Sequence, residues 1–424
     1  MSPIKITHNS NKSSILTGSV DLPLSKSESN RILMLNMLSN GVVRTTSLSD
    51  AHDTILLRKL LQKITDQKHT REIVSLDCED AGTVARFLLA YVALSANSNF
   101  LIKGNERLTL RPMKDLTDTL TRMGTQIIFK GQHGFLPVLV KPPAYLEAEA
   151  RIAADVSSQF VSALLMVAPT LPRGLKLSME GTIVSKPYIE MTLAMLKKCG
   201  ITYFRRQHVI EIKPQAYKPA LLKPSADWSS AAFWYQLAAL SKQTDLTLKN
   251  LNRLSLQGDS VLHHIFKKLG VVSSFTKNGA VLSKTPISNR SLEFDFIDNP
   301  DIFPSVVLTC AFLRVKAVFR GLRNLKHKES DRLKIVCNIL HYYGVKTEYH
   351  ASGDILHINP ENLLVPQRNV WHSHNDHRIA MALASLSPAI PEITIENAGA
   401  ITKSYPGFFE ELQKCGCSII NIDT

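Results

Sequence analysis

Residues 228–240 read WSSAAFWYQLAAL, a helix-length run that starts polar and is then apolar on nearly every face. A helix that lies on a surface keeps a polar side, so a run apolar all round belongs inside a core. Five other segments share this look. They are SESNRILMLNML around Ser29, GTVARFLLAYVAL from Gly82, SSQFVSALLMVA from Ser157, DIFPSVVLTCAFL from Asp301 and DHRIAMALASL from Asp376. Marked at Ser29, Gly82, Ser157, Trp228, Asp301 and Asp376, the steps are 53, 75, 71, 73 and 75 residues. A sustained period of this size is the mark of an internal structural repeat.

A second, amphipathic series lies between them, starting near Asp53, Pro112, Pro187, Gly258, Ser330 and Pro406, with steps of 59, 75, 71, 72 and 76 residues. Proline suits a helix start because the N–H it lacks would be unpaired there. Five of these segments end in glycine (124, 200, 270, 344, 416), the usual left-handed stop. The β-prone runs TQIIF, ITYF, VVSSF, VKTEY and CSIIN follow. The chain therefore predicts six units of about 71 residues, each with one buried helix, one exposed helix and several strands. The short first step predicts a trimmed first unit.

Composition bounds the function. The 424 residues are 44% apolar, enough for packed cores, and the length predicts two or three domains. The 50 Lys+Arg against 36 Asp+Glu give +14, pointing to anionic partners. The longest apolar stretch, around Phe87–Ala96, is too short for the ~20 residues that a bilayer requires. The opening MSPIKITHNSNKSS has no apolar signal-peptide core. The six cysteines lack C-x-x-C spacing and read as reduced thiols of a cytosolic protein. Basic residues are dispersed without aromatic interleaving, against a nucleic-acid partner. With no heptad pattern, a monomer is expected.

The polar starts of the buried helices carry the chemistry. A helix N-terminus offers free N–H groups and a positive dipole end, a ready anion site. Lys26, Arg31, Arg86, Gln159 and Arg378 sit at such starts. Lys26, Ser27 and Arg31 combine a point charge, a hydroxyl and a planar fork. The run NLKHKESDR, 324–332, places Glu329 between cations that could tune it for proton transfer. His372, His374 and His377 form H-x-H-x-x-H, but they straddle a helix start with no H-E-x-x-H spacing, so no metal is expected. Asp376 reads as a helix cap there. Ser157, Ser158 and Ser185 precede helices and read either as caps or as phosphate ligands. Arg111 and Lys403 stand alone at the starts of exposed helices, and Asp301 opens a buried one.

Ten strings in order carry a resemblance: SKSESNR, DAGTVAR, ERLTLRP, VSSQF, VSKPYI, LQGD, NPDIF, KHKESDR, NDHRIAM and ITKSYP. Together they closely resemble the 5-enolpyruvylshikimate-3-phosphate synthase (3-phosphoshikimate 1-carboxyvinyltransferase) family. The resemblance implies a two-domain inside-out α/β barrel of six βαβαββ units, three per domain, around buried parallel helices. It places one domain at 25–225, the other at 1–24 plus 226–424, and the active site in the cleft between them. It implies transfer of the enolpyruvyl group of phosphoenolpyruvate to the 5-hydroxyl of shikimate 3-phosphate, with release of phosphate and no cofactor or metal. By the same resemblance Lys26, Ser27, Arg31, Ser157, Ser158, Gln159, Ser185, Tyr188, Asp301, Asn324 and Lys328 hold shikimate 3-phosphate. Lys26, Asp80, Gly82, Arg111, Gln159, Arg332, Arg378 and Lys403 hold phosphoenolpyruvate. Asp301 takes the hydroxyl proton, Glu329 protonates the methylene carbon, and Lys26 completes the catalytic set.

The chain departs from the family pattern at Leu24 and at Glu79–Asp80, where the family usually has Gly and Gly-Asn. Asp80 would repel an anionic substrate unless a cation pairs with it. Two alternatives compete with this reading. Transfer to a UDP-amino sugar typically uses a cysteine acid near the Arg111 position, and Asn105–Met113 contains none. A non-catalytic anion-binding paralogue would have lost an acid or base, and none is missing.

Overall fold

The computed structural model describes residues 3–8, 15–67, 72–95, 97–143 and 145–422. Ala96 and most of the polar N-terminal stretch lie outside them. The chain divides into two compact units, Met1–Ser25 with Ser225–Thr424, and Lys26–Pro224. The two crossings run side by side: Ser25 N donates to Ser225 O at 2.7 Å and Asp227 N to Pro23 O at 2.9 Å. Leu24, one of the departures, forms the antiparallel bridge to Ala226 at this crossing.

Each unit is built around three central helices. In the Lys26–Pro224 unit they are α1 (Lys26–Leu38), α2 (Gly82–Ser95) and α3 (Ser158–Val167). In the other they are α4 (Trp228–Leu240), α5 (Phe303–Phe312) and α6 (His377–Ala384). Within each unit the three pack against one another. In α4, Trp228 through Ala239 are all buried. Polar side chains on these helices find backbone partners inside the core: Gln236 Nε2 donates to Ala382 O at 2.9 Å and Ser305 Oγ to Ala232 O at 2.8 Å. A buried amide or hydroxyl without such a partner would cost more than the bond contributes.

The amphipathic series forms outer helices at His52–Asp66, Lys114–Arg122, Lys186–Lys198, Leu262–Lys268, Arg332–Tyr342 and Phe408–Lys414. The glycines at 124, 200, 270, 344 and 416 all have positive φ, so the stop signals act as expected. Four of the five runs after them are strands. In ITYF only Phe204 enters a strand, because Gln215 Oε1 accepts from both Thr202 N and Thr202 Oγ1 and occupies that backbone.

Among the described residues there are five four-stranded sheets and one two-stranded sheet. The second unit shows the pattern. Val74–Asp77 lies parallel to Phe100–Lys103, which pairs antiparallel with Val138–Lys141, and that with Gln126–Phe129. The third and fifth units repeat it. The fourth takes Ile15–Asp21 as its first strand, parallel to Gln243–Lys249. The sixth takes Ile4–His8 as its last strand, between Glu392–Glu396 and Cys417–Asn421. The trimmed first unit keeps only Val43–Arg44, paired with Ala220–Leu221. Strands such as Leu175–Glu180 bury every second residue, so each sheet turns one face to its helices. No helix among the described residues is long and apolar enough to cross a membrane. The six cysteines are unbridged thiols, and five are buried.

Candidate active site

Two sets of candidate site residues gather near the starts of the central helices, one in each unit. In the Lys26–Pro224 unit the first group surrounds Gly82, the first residue of α2. A Cβ on Gly82 would lie 2.5 Å from Arg111 Nη1 and 2.6 Å from Arg86 Nη1. Two buried guanidinium groups therefore converge on one helix start, which only a residue without a side chain allows. Arg86 Nη1 donates to Gln159 Oε1 at 2.7 Å, and Gln159 Nε2 donates to Thr83 Oγ1 at 2.9 Å. The Arg86 guanidinium also sits 5.3 Å from the Phe160 ring centre. Two like charges this close, desolvated and set on a positive dipole end, would attract an anion. Asp80 is half-buried in the turn before α2, and Glu79 beside it holds φ of 50°, where the family pattern has glycine.

Lys26 begins α1, and its Nζ lies 3.1 Å from the buried Asp53 Oδ2. Sequence reading used Asp53 only to mark a helix start. The available signal was its place on the buried stripe of that helix with Leu57, Leu60, Leu61 and Ile64. A carboxylate on an apolar stripe implies a partner. Arg31, expected to face a ligand, is 2% exposed. Its Nε donates to Thr192 Oγ1 at 2.7 Å, Nη1 to Ser27 O at 2.9 Å, and Nη2 to Ser162 Oγ and Tyr188 O at 3.1 Å. Three of five donors thus tie α1 to α3 and to Lys186–Lys198, and a fourth stays within α1 on Ser27 O, leaving one Nη1 hydrogen for a ligand. Burial lowers Arg31 to about 10, partly offset by Tyr188 and Glu28. Ser157 caps α3 by accepting from Gln159 N at 3.3 Å, with Ser158 buried behind it. Ser185 differs: it makes no cap bond and sits at φ of 51°, so its hydroxyl is not spent on the helix.

The second set, in the other unit, is centred on Arg332, whose side chain is fully buried. Its Nη1 donates to Asp301 Oδ1 at 2.9 Å and its Nη2 to Glu329 Oε2 at 2.7 Å. Its Nε donates to Asp376 Oδ2 at 2.8 Å. Burial alone would lower its pKa; Asp376, Glu329 and Asp301 reverse this and raise it above the ordinary value. Arg378 Nε lies 3.2 Å from the same Asp301 oxygen. Asp301 and Glu329 are the less buried ends of this cluster, each side chain 16% exposed. Asp301 does not cap α5, which starts two residues later with Pro304 in its first turn. Asn324, Lys328 and Glu329 are half-buried along Arg323–Ser330, and Lys403 ends the turn Ala398–Lys403 packed on α6. Asp376 caps α6, accepting from Arg378 N at 2.9 Å. Among the described residues no three His, Cys, Asp or Glu side chains group as a metal site. His374 N instead donates to His372 Nδ1 at 2.9 Å.

Sequence reasoning also passed over Asp259 and Gln257. Asp259 is buried, accepting from Ser229 Oγ at 2.5 Å and Asn299 Nδ2 at 3.1 Å. Burial first, then the nearby Asp301 charge, pushes it up to about 6. Gln257 clamps the crossing: its Nε2 donates to Ser225 Oγ and Ala226 O, and its Oε1 accepts from Trp228 N.

The sequence profile of the EPSP synthase (3-phosphoshikimate 1-carboxyvinyltransferase) family matches residues 10–412. The chain belongs to the EPSP synthase family. The 3-phosphoshikimate 1-carboxyvinyltransferase of Bacteroides fragilis is 37% identical over 413 residues, 95% of this chain and 96% of that one. The enzyme of that name from Methanospirillum hungatei is 31% identical over 417 residues, 93% and 95% of the two chains. In fold the chain is similar to an EPSP synthase from Acinetobacter baumannii, with a TM-score of 0.76 at 18% identity over 99% of this chain and all of that one. It is also similar to the enolpyruvyl transferase NikO of Streptomyces tendae, with a TM-score of 0.73 at 15% identity over 99% and 98%. The fold is accordingly the two-domain inside-out α/β arrangement of EPSP synthases.

Proposed function

We propose that this EPSP synthase family chain transfers the enolpyruvyl group of phosphoenolpyruvate to the 5-hydroxyl of shikimate 3-phosphate. The products are 5-enolpyruvylshikimate 3-phosphate and phosphate, on the route to aromatic amino acids. One observation carries the reading: Asp301 and Glu329, the two carboxyls the chemistry requires, are both held by the single buried guanidinium of Arg332.

In the addition step Asp301 takes the proton of the 5-hydroxyl as its oxygen bonds the enol carbon, while Glu329 protonates the methylene. In the elimination step the carbon–phosphate oxygen bond breaks and the new methyl returns a proton. The tetrahedral intermediate carries phosphate and carboxylate on one carbon, and fixed cations stabilise it without reorganising. Arg111 beside Gly82, with Lys26, Gln159, Arg332, Arg378 and Lys403, takes phosphoenolpyruvate. Ser27, Arg31, Ser157, Ser158, Gln159, Ser185, Tyr188, Asn324 and Lys328 take shikimate 3-phosphate. The cation set around Gly82 and the acid–base set around Arg332 belong to different units, so turnover requires both. The enzyme acts as a cytoplasmic monomer, without cofactor, metal, nucleic acid or membrane. The test is phosphate release from the two substrates in the presence of EDTA. Metal-independent release is expected; no release, or release restored only by zinc, would overturn the reading.

A further inference from the structure

Asp376 does more than cap a helix. Its side chain is fully buried, and both carboxylate oxygens are shared. Oδ1 accepts from Arg378 N at 2.9 Å and Arg332 Nη2 at 3.3 Å. Oδ2 accepts from Arg332 Nε at 2.8 Å and Ser330 Oγ at 2.9 Å. Arg332 in turn holds Asp301 through Nη1 and Glu329 through Nη2. A planar guanidinium fixed along one edge presents its remaining N–H groups in set directions. Asp376 therefore orients the guanidinium that holds both partly exposed carboxyls, with Arg378 a second partner of Asp301.

We propose that Asp376 is a positioning residue, which through Arg332 sets the place and charge balance of Asp301 and Glu329. This rests on the acid–base roles given above. Three carboxylates, Asp301, Glu329 and Asp376, face two guanidiniums, Arg332 and Arg378. Counted as ionised, the cluster has one surplus negative charge, which favours retention of a proton on one of its carboxyls. An acid catalyst has to hold its proton at working pH. Removing the Asp376 charge takes one negative charge from beside Arg332, which favours the ionised forms of the carboxyls that remain. The other groups nearby are His377, with Nδ1 3.9 Å from Asp376 Oδ1, His374, which feels the Asp376 charge, and Asp259 beside Asp301.

The test is Asp376→Asn, which keeps an oxygen for the Arg378 N cap bond while removing the charge and one Arg332 acceptor. A drop in kcat of about 10- to 100-fold is expected, with KM for both substrates little changed, since charge-assisted bonds are lost. The pH–rate profile should move to lower pH. Ser330→Ala removes a single hydrogen bond to Asp376 and should change kcat in the same direction by about 2- to 10-fold. Thermal unfolding of each variant separates loss of fold from loss of positioning. Wild-type kcat and profile in Asp376→Asn, or a loss confined to KM, overturns the inference while leaving the enolpyruvyl transfer reading intact. Absence of turnover in the wild type overturns that reading instead.

Discussion

Replacing Gly82 with alanine should separate substrate binding from stability. The added Cβ would meet Arg111 Nη1 at 2.5 Å, Arg86 Nη1 at 2.6 Å and Arg111 Cζ at 2.7 Å, where ordinary contact begins at 3.4 Å. Each guanidinium must therefore retreat by close to an ångström. Arg86 resists, because withdrawal breaks its 2.7 Å bond to Gln159 Oε1 and moves it off the Phe160 ring. The cost falls on long side chains rather than on backbone, and Gly82 is not among the positive-φ glycines, so the helix accepts an alanine. An error of about 1 Å in a positioning group typically costs on the order of 10²-fold. The expected outcome is a rise in KM for phosphoenolpyruvate of about 10- to 100-fold. Affinity for shikimate 3-phosphate and the melting temperature should remain near wild type. Steady-state phosphate release at saturating shikimate 3-phosphate, calorimetry with that ligand alone and a thermal melt measure the three quantities. An unchanged KM for phosphoenolpyruvate would refute the placement of this anion beside Gly82.

Three further outcomes are expected. Glu329→Gln and Asp301→Asn should each lower kcat by about 10²- to 10⁴-fold, the usual contribution of a general acid or base; steady-state kinetics showing a change confined to KM would make them binding residues. Asp259, pushed up to about 6, holds a proton in the folded chain that the unfolded chain releases near its ordinary pKa of about 4. Stability should therefore fall as pH rises from about 4 to 6, by on the order of 3 kcal/mol. Urea unfolding should show Asp259→Asn gaining on wild type at pH 7 compared with pH 4.5; the same difference at both pH values contradicts the assignment. Finally, because the proposed ligands divide between the two units, shikimate 3-phosphate should favour closure and strengthen binding of phosphoenolpyruvate. Small-angle scattering would count against this if the radius of gyration stayed constant on addition of shikimate 3-phosphate.

What the sequence determined by itself was local in origin. The all-apolar runs marked the six central helices, and the glycines at 124, 200, 270, 344 and 416 marked the ends of five outer ones. Those signals are legible because helix periodicity and capping act over a few residues. The ten motifs, in order along the chain, marked the family. Tertiary structure alone decided the strand exchange. Ile15–Asp21 pairs with Gln243–Lys249, and Ile4–His8 with Glu392–Glu396, across hundreds of residues with no local trace. It alone showed that Arg31 spends most of its donors tying helices together. It alone brought Asp376, from the start of α6, under the guanidinium that holds Asp301 and Glu329. A charged residue at a helix start reads the same in sequence whether it faces water, a ligand or another buried charge. Burial and the partners that folding brings to it select among these, because desolvation makes an unpartnered charge too costly to keep.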